Sequence, residues 1–326
     1  MTKNSLDNKF FAFLKLIRFE NLLMIVATLL LLRFLVLKKV MTVYGLQLEM
    51  DSGLFYLLIL STVLIAAAGY IINDYFDVKT DLINRPETVV VDRVIKRRWA
   101  IILHITLTAF GIIIGVYTAL KTGYLRLSLF HFTAAILLWV YSTHFKKQLL
   151  IGNLIVSLLT ASVAFMPLVY EMGLMQKINP GFILNSKYAV FSAFRITLFF
   201  GVFAFLTSFA REILKDIEDY KGDKETGGKT MPIVWGVRSS KLVSFFVLII
   251  TTIFVSFMLY NVVKSNHQLM STHNFYIIGL LILPLIFLAF YSFAAFEVKH
   301  YKRASQMLKL IMLAGLCYSF VFYYLT

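Results

Sequence analysis

The sequence predicts an all-α integral membrane protein with nine membrane-spanning helices, and three observations carry that expectation. Of its 326 residues, 60% are hydrophobic and 15% are charged, against roughly 25% charged in soluble domains. The apolar residues are gathered into long runs, and about 20 such residues cross a bilayer as a helix. Phe, Tyr, Leu and Ile crowd these runs without the sustained alternation that marks a membrane β-barrel.

The runs are Leu22–Val36, Leu54–Ile72, Ala100–Ala119, Leu125–Val140, Leu149–Val169, Phe191–Ala210, Leu242–Tyr260, Phe275–Tyr291 and Leu308–Tyr324. Residues 1–326 read as a single polytopic domain with two motif-bearing halves. The polar, basic stretch Met1–Asn21 precedes a full-length span without a small-residue cleavage pattern. It reads as a cytoplasmic tail with an interfacial helix rather than a signal peptide. Gly69, Gly111, Gly115 and Gly152 predict close helix packing, and Pro167 and Pro284 predict kinks. Asn21 and Asn153 lie in or beside apolar runs, where a polar side chain needs a partner. Both are candidates for helix–helix contacts, and Asn21 alternatively for a substrate contact. The single cysteine, Cys317, excludes an intrachain disulfide, and His104, His131, His144, His267, His273 and His300 show no ligand spacing.

The formal net charge is +15, but the basic residues are not spread evenly. The N-terminal tail and the connections 2–3, 4–5, 6–7 and 8–9 hold 22 of the 32 Lys and Arg residues, and the opposite side holds 7. The positive-inside rule then places the N-terminus and those connections in the cytoplasm. It also explains the basic excess without nucleic-acid binding.

The carboxylates are concentrated too. Eleven of the 17 Asp and Glu residues fall in two of the basic connections. Asp74-Tyr-Phe-Asp77-Val-Lys79-Thr-Asp81 follows the second run, and Asp216-Ile-Glu-Asp219-Tyr-Lys221-Gly-Asp223 follows the sixth. Both read D-x-x-D-x-K-x-D, and each is expected to begin as an extension of the preceding helix. Positions i, i+3 and i+7 share one helical face, and Asn73, Asp77 and Asp81 form an overlapping stripe. Gly222 is a point where the second helix can end early. Two such carboxylates about 6 Å apart repel by roughly 3 kcal/mol at an effective dielectric of 20, so the stripes call for a cation. Oxygen-only ligands suit Mg²⁺, which bridges carboxylates to substrate phosphates. Two facing stripes would make a diphosphate clamp.

Cations near such a clamp can neutralise a leaving diphosphate. Candidates for substrate binding are Arg18 before the first span, Arg85 beyond Asp81, Lys146 and Lys147 after the fourth, and Lys215 beside the second cluster. Arg18, Lys146 and Lys147 can also give a phosphate-bearing acceptor a cationic contact. Tyr141 is a candidate for a position near the reacting carbon.

These residues resemble a known family. Asn73-Asp-Tyr-Phe-Asp77-Val-Lys-Thr-Asp81-Leu-Ile-Asn-Arg-Pro86 looks like the first signature of the UbiA prenyltransferases. Arg211-Glu-Ile-Leu-Lys215-Asp216-Ile-Glu-Asp219-Tyr-Lys-Gly-Asp223, continuing to Gly228-Lys-Thr-Met-Pro232, resembles the second. Tyr141-Ser-Thr-His-Phe-Lys146 is similar to the family's Tyr and Lys element after the fourth helix. The resemblance implies nine helices around a central cavity, and Mg²⁺ held by Asn73, Asp77, Asp81, Asp216, Asp219 and Asp223. It implies a catalytic set of Asp77, Asp81, Asp216, Asp219, Lys146 and Tyr141. The implied substrates are a prenyl diphosphate and a lipophilic acceptor taken from the bilayer.

The second motif is most similar to the branch that adds a second geranylgeranyl group to geranylgeranylglyceryl phosphate. Arg18-Phe-Glu-Asn21 is similar to that branch's R-P-x-N, with Phe19 in place of Pro. After Pro86 the chain reads Glu87-Thr-Val-Val-Val-Asp92-Arg93 and departs from the family's usual R-P-x-x-x-G-R. An aromatic prenyltransferase of quinone biosynthesis would share both motifs and differ in the acceptor pocket. A CDP-alcohol phosphotransferase is disfavoured because no D-G-x-x-A-R run is present. An ion-coupled transporter is disfavoured because only Arg33, Arg195 and Lys309 lie inside spans, with no carboxylate.

Overall fold

The computed structural model describes residues 4–266 and 272–325, and His267 lies outside the described residues. Helix α1 (Asn4–Leu16) buries Ala12 and Leu16, one turn apart, and exposes Phe10 and Phe11. Arg18 then adopts a left-handed backbone (φ 49°, ψ 56°) that breaks α1 from the next helix. That conformation is costly for a non-glycine residue and tends to mark functional positions.

Nine helices among the described residues are long and apolar enough to span a membrane. They are α2 (Phe19–Val43), α3 (Ser52–Asn84), α4 (Arg97–Thr122), α5 (Leu125–Thr143) and α6 (Ile151–Ile178) in the first part of the chain. After these come α7 (Lys187–Glu218), a short helix α8 (Tyr220–Glu225), α9 (Val237–Lys264), α10 (Thr272–Ala294) and α11 (Val298–Tyr324). Each begins at or before the predicted apolar run, or within a few residues of it. The termini are set by local chemistry. Asp51 caps α3, its Oδ2 accepting from the Gly53 amide at 2.7 Å. Gly123, at φ 84°, closes α4. Pro284 follows directly on a π-helical turn at Ile278–Ile282, where the regular hydrogen-bond ladder is interrupted as expected for an in-span proline.

Length positions the motifs. Helix α3 has 33 residues and α7 has 32. At 1.5 Å per residue each is about 50 Å long, well beyond the ~30 Å hydrocarbon core. Asp77 and Asp81 ride on the α3 overhang and Asp216 on that of α7. The two motifs are not geometric copies, however. Helix α7 ends at Glu218, Asp219 lies at the break, and Asp223 belongs to α8. The break therefore falls three residues before Gly222, the position where the sequence suggested it.

Several buried cores hold the helices together, and two of them bear on the motifs. One buried core joins Ala12, Leu16 and Leu22 to Ala67, Ile71 and Val91. Another joins Ala210, Ile213 and Leu214 of α7 to Leu248, Leu288 and Leu308. Small residues allow the close approaches: a Cβ at Gly115 would meet the His131 ring at 2.3 Å, and one at Gly152 would meet the Phe145 carbonyl at 2.8 Å. Inside α2, Arg33 sits in a π-helical turn, fully buried. It pairs with Glu171 of α6 at 3.5 Å and donates to the Met50 carbonyl. Its guanidinium also lies 4.3 Å from the Phe55 ring centroid.

Candidate active site

The first motif is organised around Asp77, which is 3% exposed. Its Oδ2 accepts from Asn73 Nδ2 at 2.8 Å, one helical turn earlier, and from Lys146 Nζ. The Asn73 Oδ1 is buried and has no protein partner. Burial opposes the Lys146 charge, but the Asp77 carboxylate outweighs it and holds the ammonium above its usual range. On the other side of the same turn, Asp74 accepts from Arg18 Nη2 at 2.9 Å. The strained backbone at Arg18 aims its guanidinium here, 5.1 Å from the Tyr70 ring centroid. Its pKa is likewise raised, burial being overcome by Asp74.

The second motif is reached from the first. Arg85 Nη2 lies 2.6 Å from both carboxylate oxygens of Asp219. Asn84 donates to the Asp219 carbonyl at 3.0 Å and accepts from the Gly222 amide at 2.8 Å. Asp216 accepts from Asn153 Nδ2 at 2.8 Å, so Asn153 is a helix–helix contact that also orients a motif carboxylate. Burial pushes Asp223 up to about 6, with Lys146 opposing and Asp219 and Asp77 reinforcing the shift. Lys215 and Arg211 both donate to Glu212.

Among the described residues, no three Asp, Glu, His or Cys side chains converge as a ready metal cluster. Asp77 and Asp219 are instead matched to Lys146 and Arg85. The site nonetheless fits a hard cation. The donors are all oxygens, they repel one another, and the orphaned Asn73 Oδ1 is an unused ligand atom among them.

A cavity of about 280 Å³ adjoins the motifs. Arg18, Asn21, Asn73, Tyr141 and Lys215 line its polar part, and Ile65, Leu138, Val163, Phe200 and Met312 are among its apolar walls. Lys146 and Lys147 do not line it; they flank a smaller space of about 150 Å³ beside Asp77. Lys147 also ties this connection to the second motif, its Nζ donating to Thr226 at 3.1 Å and its carbonyl accepting from the Lys229 amide at 2.7 Å. Sequence reasoning gave no role to Asn84 or Glu212, although both lie inside the quoted motifs. It noted Lys309 as ionisable within a span without assigning it to the cavity that it lines.

A nine-helix bundle with two carboxylate motifs over an apolar cavity defines a class of intramembrane isoprenoid enzymes, and the comparisons agree. The UbiA prenyltransferase family model matches residues 40–314, and the chain belongs to that family. It is 35% identical over 198 residues to the digeranylgeranylglyceryl phosphate synthase of Methanothermobacter thermautotrophicus, covering 60% of this chain and 62% of that protein. The aligned stretch thus spans less than two thirds of that relative's length. A solved structure of digeranylgeranylglyceryl phosphate synthase superposes with a TM-score of 0.63 at 21% identity, over 96% of this chain and 98% of that one. A UbiA homolog from Archaeoglobus fulgidus, solved with DMAPP and Mg²⁺, gives 0.52 at 16% identity, over 95% and 99%.

Proposed function

We propose that the protein transfers a prenyl group from a prenyl diphosphate to a lipid alcohol, best matched by a prenylglyceryl phosphate hydroxyl, with Mg²⁺ as cofactor. The observation that carries this reading is the joining of two acidic helix overhangs by Arg85–Asp219 beside an apolar cavity. The 35% identical digeranylgeranylglyceryl phosphate synthase and the Mg²⁺-bound Archaeoglobus neighbour support it. The basic connections favour a cytoplasmic location for the N-terminus and both motifs.

Asn73, Asp77, Asp81, Asp216, Asp219 and Asp223 would hold Mg²⁺. When bound, it would supply Lewis-acid stabilisation of the departing diphosphate. Lys146 and Arg85 add positive charge where negative charge grows as the C1–O bond breaks. Asn73 and Asn153 orient the Asp77 and Asp216 carboxylates through their amide donors. Tyr141 lines the polar part of the cavity, and its aromatic ring would stabilise an allylic cation formed there. The apolar walls hold the isoprenoid tail and exclude water from that cation.

The decisive experiment is mass spectrometry of products from purified protein with Mg²⁺ and geranylgeranyl diphosphate. Geranylgeranylglyceryl phosphate is offered against 4-hydroxybenzoate and 1,4-dihydroxy-2-naphthoate. A glycerol ether is the expected product. Prenylated aromatic rings without the ether would reject the acceptor class while leaving prenyl transfer intact.

A further inference from the structure

The cavity wall carries a second group of charges that ionisation of the diphosphate does not use. Arg211 and Lys215 of α7 and Lys309 of α11 all line it. One cavity carboxylate, Glu212, serves two of them: it accepts from Lys215 Nζ at 3.0 Å and from Arg211 Nη1 at 3.3 Å. Arg211 Nε is buried without a partner. Lys309 reaches outward instead, donating to Glu20 Oε2 at 2.7 Å, and the Glu20 side chain is 86% exposed. Exposed pairs of this kind contribute roughly 0–1 kcal/mol, so Lys309 can exchange its partner at little cost. Leu308 and Ile311, beside Lys309, share one buried core with Ala210, Ile213 and Leu214, beside Arg211 and Lys215.

An ionisable group inside a span is expensive and marks a function unless it is fully paired. Arg33 is so paired, with Glu171. Arg211 and Lys215 share the single carboxylate Glu212, which leaves one positive charge on the wall, and Lys309 adds a second whenever it leaves its exposed partner Glu20. Arg18 does not enter the count, since Asp74 matches it.

We propose that Arg211, Lys215 and Lys309 bind the head group of the acceptor, and that this head group is a phosphate monoester. The inference rests on the proposed prenyl transfer and names the acceptor site that it requires. A phosphate monoester carries a charge of about −1.5 to −2 near neutrality, which balances the excess, whereas an aromatic carboxylate supplies one charge. The planar fork of Arg211 suits paired phosphate oxygens. The diphosphate has cations of its own in Lys146 and Arg85, which pair with Asp77 and Asp219 and do not line this cavity. Lys309 is therefore the specificity residue, set in the last span and outside both motifs.

The test compares wild type with Lys309→Met, Lys309→Arg and Arg211→Lys in detergent with Mg²⁺. Geranylgeranylglyceryl phosphate and its neutral counterpart, geranylgeranylglycerol, are offered as acceptors. The thermal stabilisation by each acceptor is measured separately, without prenyl diphosphate. Lys309→Met should raise KM for the phosphorylated acceptor about tenfold and leave KM for the neutral acceptor and for the prenyl diphosphate within about twofold. Lys309→Arg should restore it, and Lys309→Met should lose the stabilisation given by the phosphorylated lipid. Equal stabilisation of wild type and Lys309→Met, or a KM rise for the diphosphate instead, overturns the assignment. Wild type that binds the phosphorylated lipid through Lys309 yet transfers nothing to it would count against the proposed function while upholding the head-group site.

Discussion

Arg85 and Asp219 lie 134 positions apart in sequence, yet one guanidinium nitrogen of Arg85 sits 2.6 Å from each carboxylate oxygen of Asp219. The residue that ends the first motif helix thereby holds the residue at which the second motif helix breaks. Arg85 also approaches Glu218 at 3.7 Å, so it senses the last turn of α7 as well as the break.

Arg85→Ala should therefore lower kcat/KM more than it lowers stability. The loss of one charge-assisted contact is about 1.5–3 kcal/mol, roughly 10- to 100-fold in rate. Steady-state kinetics beside a detergent melting curve will read both. A large fall in melting temperature with unchanged kinetics would show that the contact is only a brace.

Asp77→Ala and Asp216→Ala should each reduce turnover by at least ~100-fold with insertion and folding retained, since both residues ride on helix overhangs. Chelation of divalent cations should do the same, and Mg²⁺ should restore activity. Near-normal turnover in either variant, or after chelation, would remove the clamp.

As a proposed Mg²⁺ ligand, Asp223 should make Mg²⁺ binding sensitive to pH. Burial lifts its pKa to about 6 from its ordinary value of 3.8, so the folded protein holds this proton more tightly than the unfolded chain. Its contribution favours folding below 3.8 and is lost as pH rises through about 6. A metal ligand must be deprotonated, so apparent Mg²⁺ affinity should fall as pH drops below about 6. Asp223→Asn should weaken binding at neutral pH and flatten that slope. Mg²⁺ titrations of activity at two pH values check this, and an identical slope in the variant would refute it.

Arg33 and Glu171 are both essentially inaccessible, at 3% and 0% side-chain exposure. Arg33→Met or Glu171→Met alone strands a buried charge and should cost about 3–5 kcal/mol. The double variant should recover much of that loss, as read by thermal unfolding in detergent. A double variant no better than the worse single one would mean that the Met50 and Phe55 contacts of Arg33, rather than its charge, hold the bundle.

The spans and the two carboxylate motifs were legible because apolar run length and carboxylate spacing are local properties. Asn73, Asp77 and Asp81 share a face simply because α3 continues through them. Asp223 was not legible in the same way. Gly222 signals an early end to the helix, but the break falls at Asp219 and accompanies the Asn84 contacts to the Asp219 carbonyl and the Gly222 amide. The contact of Lys147 with Thr226, 79 positions away, has no local signal in the sequence. Lys309 carried a signal of its own, a charge inside a span, but its cavity exists only once α2, α7 and α11 meet.

The contact between Asn84 and Gly222 bears on how such a chain can change over generations. A single methyl group at position 222 would press within 2.5 Å of the Asn84 amide nitrogen. The two sites are therefore not free to vary alone: a larger residue at one calls for a shorter residue at the other. Exchange of whole halves between related chains would succeed only where both parents bring compatible partners to this seam. Pairing of these two positions across descendants is thus the mark the seam would leave in a lineage, even where the motif carboxylates themselves stay fixed.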